Sequence, residues 1–277
     1  MDTVFPAGFI FSQSSLQDFS DCARRFQLRY LEQLSWPAIE SEPLLENEKR
    51  QLEGQQFHRL AQQHFLGLPA EKIAGLANTP NLERWWNNFL TWQRESAAPS
   101  GAANLQAEFA LSVPIGNARL LAKYDLLVAD ETGAKIYDWK TYAKRPRNDW
   151  LSARWQTRVY RAVLTMAGAH LNGGRPLDPG QVEMIYWFAD YPSEPAVFRY
   201  DQKQYKRDAA SILKAVEEIA SATEFPLTPD ERKCNFCSYR SYCGRGIRAS
   251  QLDLLESELE TVPGSESNYE QISEIEF

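Results

Sequence analysis

Residues 119–141 constrain this chain more than any other stretch. Two β-rich runs, Leu120–Ala129 and Lys135–Thr141, flank the turn-forming segment Asp130-Glu131-Thr132-Gly133, which is the pattern of a β-hairpin. Asp138 and Lys140 are two residues apart in the second run, so both side chains leave the same face. A two-residue loop at Glu131-Thr132 places Asp125 directly across from Asp138, whereas a bulge at Gly133 slips the pairing by one. In either register two carboxylates converge, repel each other and call for a cation. Oxygen ligands favour a hard one, Mg²⁺ or Mn²⁺. A lysine beside them can orient an attacking water and offset charge that builds on a phosphate. On spacing alone a surface Asp-x-Lys ion pair is the commoner outcome, so the weight falls on the rest of the chain.

The net charge of −7 speaks against a nucleic-acid partner until it is located. Eight acidic residues, from Asp253 to Glu276, lie beyond Arg248, where there is no Lys or Arg; the remainder carries one net positive charge. This divides the chain into a body, residues 1–249, long enough to bury a full core, and an acidic tail, residues 250–277, that reads as flexible. No run approaches a membrane span and no basic-then-apolar leader opens the chain, so the expectation is a soluble, cytoplasmic protein without a membrane partner. Without a secretory signal, the four cysteines point to ligation rather than disulfides. Cys234, Cys237 and Cys243 form a short cluster and Cys22 supplies a remote fourth thiol, a set that suits Zn²⁺ or an iron–sulfur cluster.

Residues 1–13 read as irregular, and Leu16, Phe19, Cys22, Phe26 and Tyr30 then recur at helical spacing with Cys22 on the apolar face. A second helix, about Leu44 to Phe65, contains Gly54 and, four residues on, His58. Glycine within a helix marks close approach of another element, and the imidazole is a candidate metal ligand. His64 and His170 read as surface residues. After a loop at 67–81, a helix from Leu82 to about Ser96 presents Trp85, Trp86, Phe89 and Trp92, a core set rather than a base-stacking platform. Glu108 lies on a strand at 105–113 that precedes the hairpin and can face the same site. A helix over 150–168 places Gln156 and Tyr160 on its apolar side, where they need polar partners, and Arg154, Arg158 and Arg161 on the opposite, solvated side. Strands at 181–189 and 195–200 and a helix at 202–222 complete the body.

The order helix, three strands, helix, strand, with Asp125 on the second strand and Asp138-x-Lys140 on the third, resembles the PD-(D/E)xK nuclease superfamily. More narrowly, it is similar to the RecB-like branch that carries an iron–sulfur cluster, which includes the AddB nuclease domain and CRISPR-associated RecB-like exonucleases. Gly54 and His58 match that branch's Gly-x-x-x-His, Gln156 and Tyr160 match its Gln-x-x-x-Tyr, and the four cysteines match its remote Cys plus C-terminal triplet. The glycine expected three before Asp125 is Ala122, which adds a methyl group and removes no ligand.

The resemblance implies an α/β, restriction-endonuclease-like αβββαβ core with a central mixed sheet flanked by helices. Its N- and C-terminal segments would be joined by a four-cysteine metal site. It implies that His58, Asp125, Asp138 and the Trp139 carbonyl hold Mg²⁺ or Mn²⁺, that Lys140 serves the attacking water, and that Cys22, Cys234, Cys237 and Cys243 hold a 4Fe–4S cluster, with Zn²⁺ the alternative. The implied activity is exonuclease-like hydrolysis of DNA, single-stranded or at ends, with a helicase, recombination or CRISPR partner. The rival readings are an inactive nucleic-acid-binding scaffold subunit and a zinc-bearing binding module.

Overall fold

The computed structural model describes residues 8–34, 42–95, 105–130, 132–235 and 237–246, with side chains in the second long helix from residue 49 onward. The acidic tail and Phe236 lie outside the described residues. The chain runs β1 (Ile10–Ser12), α1 (Gln13–Asp21), α2 (Ala23–Phe26), α3 (Glu42–Phe65), α4 (Ala70–Ala74), α5 (Pro80–Glu95), β2 (Leu105–Ile115), β3 (Ala118–Asp130), β4 (Gly133–Lys140), α6 (Asn148–Ala153), α7 (Trp155–Ala167), β5 (Val182–Phe188), β6 (Tyr191–Arg199) and α8 (Gln202–Ser221).

The sheet is mixed, with strand order β1-β3-β4-β5-β6 and β2 on the other edge of β3. The hairpin closes through the two-residue loop, with Asp130 paired to Gly133 and no bulge there. Gly133 has φ +156°, and a Cβ at that position would collide with the carbonyl of Gln181. β4 and β5 run parallel, with Asp138 beside Tyr186 and Lys140 beside Phe188. A parallel neighbour requires a crossover, and α6 and α7 supply it, which delivers the start of α7 to the carboxyl ends of β4 and β5.

Helices cover both faces. On one face Val163 of α7 packs with Leu120, Tyr124, Ile136 and Tyr186 of the sheet, and on the other Phe57 of α3 and Trp85 and Phe89 of α5 pack with Trp139 and Trp187. An α/β fold with a mixed central sheet flanked by helices therefore holds. Among the described residues, no helix is long and apolar enough to cross a membrane.

Several local expectations change. Residues 10–12 are not irregular but pair in parallel with Arg119–Leu121, a partner more than a hundred positions away that no local pattern announces. The first helix breaks at Cys22, whose backbone is extended (φ −161°), and resumes as α2 and a π-helical turn at Gln27–Leu31. Cys22 thus sits at a joint rather than on a continuous apolar face. The helix expected over 150–168 is two helices with Arg154 at their junction.

The three arginines do not form a solvated face. Arg154 and Arg161 are buried, and Arg158 stacks over Trp155 at 4.3 Å and binds Asp208 at 3.2 Å. Arg161 donates to the carbonyls of Thr157 and Arg199, and α8 brings the buried Asp208 alongside. A helical wheel assigns faces for one helix and is blind to a second helix covering it. His64 is likewise not a plain surface residue: it contacts Gln93 at 2.6 Å and packs edge-on to Trp86 and Phe89. His170 is exposed as expected.

Candidate active site

On one edge of β3, β1 takes Arg119–Leu121 and β4 takes Leu126–Asp130. Residues 122–125 fall in the gap between them. The β3–β4 ladder ends at Leu126 and Tyr137, one step before Asp125 would face Asp138. There the Asp125 side chain replaces a main-chain partner: its Oδ2 accepts from the Trp139 N–H at 2.7 Å. The strands part and leave room at the carboxylates.

The opposite edge bends at the same level. β2 pairs Ala107 with Leu126 and Phe109 with Tyr124, and Glu108 between them has φ +53°. That conformation costs a non-glycine residue of the order of 1–3 kcal/mol and concentrates at functional sites. Both strands exchange faces here. Even-numbered β3 residues lie under α7 up to Tyr124 and under α3 and α5 from Leu126, and β2 changes sides between Ala107 and Leu111. The kink gathers Glu108 and Asp125 with His58, and one ligand atom from each lies within 4.8 Å of the others.

His58 reaches this point because α3 is fixed against the end of β4. A Cβ on Gly54 would stand 2.7 Å from Thr141 Oγ1, so glycine permits the close approach the sequence suggests. One turn earlier, Arg50 donates to the Thr141 carbonyl at 2.8 Å and pairs with Asp190, which also receives Arg84 and the Trp85 indole of α5. One turn after Gly54, His58 Nδ1 lies 3.2 Å from Asp125 Oδ1. Burial pulls the imidazole pKa down, but the Asp125 carboxylate outweighs burial and holds it above the ordinary histidine value. Burial alone would raise Asp125, whereas His58, the Trp139 amide and Lys140 together hold it below the usual carboxylate range. Glu108 pairs with Lys123 at 2.7 Å.

Asp138 and Lys140 form a second, drier group. Asp138 is 2% exposed; its Oδ1 meets Lys140 Nζ at 2.9 Å and its Oδ2 accepts from Gln156 Nε2 at 2.8 Å. Lys140 also donates to Gln156 Oε1 at 2.9 Å. Tyr186 donates to the same oxygen at 3.3 Å and meets Thr157 Oγ1 at 2.8 Å. Gln156 thus receives the polar partners its apolar surroundings require. Tyr160 lies one turn deeper, its ring 5.1 Å from that of Tyr124 and its carbonyl accepting from Tyr124 Oη at 3.0 Å, so it braces β3 beside Asp125. Tyr186, Thr157 and Asp190 carry no motif of their own; only strand pairing and helix packing reveal them.

Among the described residues, the one group of His, Cys, Asp and Glu close enough to share an ion is therefore His58, Glu108 and Asp125. Asp138 is engaged by Lys140 and Gln156. One imidazole nitrogen with carboxylate oxygens is a donor set that fits Mg²⁺ or Mn²⁺.

The cysteines occupy another corner. Lys233 reaches Asp21 at 3.3 Å, the Arg24 amide donates to Pro226, and Tyr239 donates to the Leu34 carbonyl, so the two ends of the body meet. Burial first, and the nearby Cys22 among the other charges, raise the pKa of Cys234, Cys237 and Cys243. No disulfide joins them, and no three of the four sulfurs come within 4.8 Å of one another. The closed four-thiolate site expected from the sequence is therefore not shown by the positions of the sulfurs. Instead Arg25 bridges Asp18 and Asp21, and Arg29 and Tyr30 also bind Asp18, giving this corner its own buried ionic framework.

No curated protein matches the chain in sequence. Among solved structures, SSO0001 is similar at 12% identity, with 86% of each chain covered and a TM-score of 0.41. A candidate exonuclease from Eubacterium rectale is similar at 12% identity, with 76% of this chain and 79% of that one covered and a TM-score of 0.46. The family model of the PD-(D/E)XK nuclease superfamily matches residues 10–244, from β1 through the cysteine loop. That match takes in every element of the sheet and both groups of site residues, and the chain belongs to the PD-(D/E)XK nuclease superfamily.

Proposed function

We propose that the protein is a divalent-metal-dependent deoxyribonuclease of the RecB-like branch, acting on single strands or ends. The observation that carries this reading is the joint presence of His58, Glu108 and Asp125 within 4.8 Å and, across the parted strands, the Asp138–Lys140–Gln156 group. When bound, Mg²⁺ or Mn²⁺ supplies Lewis acidity toward a phosphoryl oxygen and acidifies a water. His58, Glu108 and Asp125 would hold that ion, with Asp138 and the Trp139 carbonyl as further candidate ligands. Lys140 has its rotamer set by Asp138 and Gln156, so its ammonium is preorganised to orient water and offset developing phosphate charge. Tyr186 and Thr157 keep Gln156 from turning away.

The four cysteines belong to the same reading as a 4Fe–4S centre, with Zn²⁺ as the alternative, and iron content with absorbance near 400 nm tests that part separately. A DNA repair, recombination or CRISPR setting with a helicase-type partner is the context this activity would serve. The direct test is cleavage of end-labelled single- and double-stranded DNA by anaerobically purified protein with Mn²⁺, Mg²⁺ or EDTA. Metal-dependent cleavage abolished by EDTA is expected, and full activity in excess EDTA would overturn the mechanism.

A further inference from the structure

The junction between α6 and α7 holds a buried cation with which, among the described residues, no acid pairs. Arg154 is 6% exposed, and among the described residues no carboxylate pairs with it; its Nη1 is buried without a hydrogen-bond acceptor. Its guanidinium lies over the Trp150 ring at 4.9 Å, and the Trp150 indole Nε1 is likewise buried without an acceptor. Two neighbouring donors, one charged, thus lack an acceptor among the described residues, in a part of the molecule where burial makes that costly. By contrast Arg158 and Arg161, on the same helix, both reach Asp208.

The position gives the missing acceptor a chemical identity. Arg154 is the N-cap of the thirteen-residue α7, where the helix dipole favours negative charge. It stands two residues before Gln156, which holds Lys140 and Asp138. The segment leading into α6 carries Lys144, Arg145 and Arg147. A positive charge, a neutral N–H and a helix start therefore adjoin a site for phosphodiester chemistry.

We infer that Trp150 Nε1 and Arg154 Nη1 form a subsite for a non-bridging oxygen of a backbone phosphate, one that neighbours the phosphate being cleaved. This rests on the nuclease reading given above. The subsite reads backbone and not base, so it positions the strand without selecting sequence. Because the guanidinium is already desolvated and stacked, the charge-assisted bond it makes is stronger than one from an exposed arginine.

The test is binding of a fluorescein-labelled single-stranded oligodeoxynucleotide, followed by anisotropy in Ca²⁺ across a sodium chloride series, for wild type, Arg154→Gln and Trp150→Phe. Arg154→Gln is expected to weaken binding roughly tenfold or more and to lower the salt slope by about one. Trp150→Phe keeps an aromatic face beside the guanidinium while removing the N–H together with the pyrrole half of the indole, so it should weaken binding a few-fold at unchanged slope; it also serves if Arg154→Gln fails to fold. Half-saturation by Mn²⁺ should not move in either variant. Wild-type affinity and slope in both variants, with cleavage intact, would overturn the subsite and leave the nuclease reading standing. Wild-type protein that neither binds nor cleaves DNA would remove both. Sodium phosphate that stabilises wild type but not Arg154→Gln against heat, with oligonucleotide binding equal in the two, would reassign the donors to a free anion.

Discussion

The two faces of the sheet are buried by different means. Beneath α3 and α5 the interior is apolar and rich in aromatic rings: Phe57 stacks on Trp187, Phe65 on Trp139, and Phe89 touches Trp86, Trp139 and Trp187. Beneath the start of α7 the interior is polar, with Asp138, Lys140, Gln156 and Thr157 all buried and bonded to one another or to Tyr186. β4 supplies both, sending Tyr137 and Trp139 to one side and Asp138 and Lys140 to the other. Aromatic burial is largely non-directional and proportional to area, while a buried polar chain holds only if every member is satisfied. The aromatic cluster should therefore act mainly on stability, and the buried polar group mainly on chemistry.

Trp187→Ala separates the two most sharply. Its loss from a fully packed site should cost about 3–5 kcal/mol in urea unfolding, while cleavage per folded molecule at low temperature stays near wild type. A stable variant without activity would break the distinction. Lys140→Ala should do the converse and lower the single-turnover cleavage rate about a hundredfold to a thousandfold. Because Asp138 would then be a buried carboxylate without its ammonium, a stability loss accompanies it. Lys140→Ala combined with Asp138→Asn should recover that stability and none of the rate, as a thermal melt beside a rate assay would reveal.

Glu108→Gln keeps the side chain's shape and removes a ligand charge. Mn²⁺ titration should show half-saturation raised about tenfold, and unchanged metal affinity would take Glu108 out of the site. Gly54→Ala tests the seam between the faces. The new methyl presses on Thr141, so about 1–3 kcal/mol of overpacking is expected, with weaker metal binding as α3 carries His58 away.

The smallest effect concerns pH in metal-free protein. The folded pKa of His58 is raised by Asp125, so the pair's stabilisation is complete below the unfolded histidine value and is lost as pH rises through the folded value. Metal affinity should increase over that same rise, because the ligating imidazole must lose its proton. Melting in EDTA and Mn²⁺ titration between pH 6 and 8 would show opposite slopes.

The hairpin, the Asp-x-Lys strand, the approach at Gly54 and the inward Gln156 were legible because each depends on spacing within one or two elements. Glu108's backbone was not, since nothing in Ala-Glu-Phe announces a residue at φ +53°; the kink arises from two strands exchanging faces together. The burial of Arg154 and Arg161 was not legible either, because α6 and α8 provide the cover. The Asp190 clamp joins α3, α5 and the turn after β5, three segments with no shared pattern. Asp138 follows Tyr137, where the β3–β4 ladder ends, and its hydrogen bonds to Lys140 and Gln156 belong to the packed state alone.

The corner where Arg24 bonds Pro226 and Asp21 meets Lys233 has a consequence in time. Such contacts have very high sequence separation, and chains rich in them assemble slowly. During synthesis the first two helices emerge roughly two hundred residues before their partners, at about 5–20 residues per second. For that interval Leu16, Phe26 and Tyr30 have no C-terminal cover, and the nascent chain passes its most aggregation-exposed stage before the last tenth of the body leaves the ribosome. The N-terminal helices are made well before the segment that covers them, and they cannot settle until it arrives.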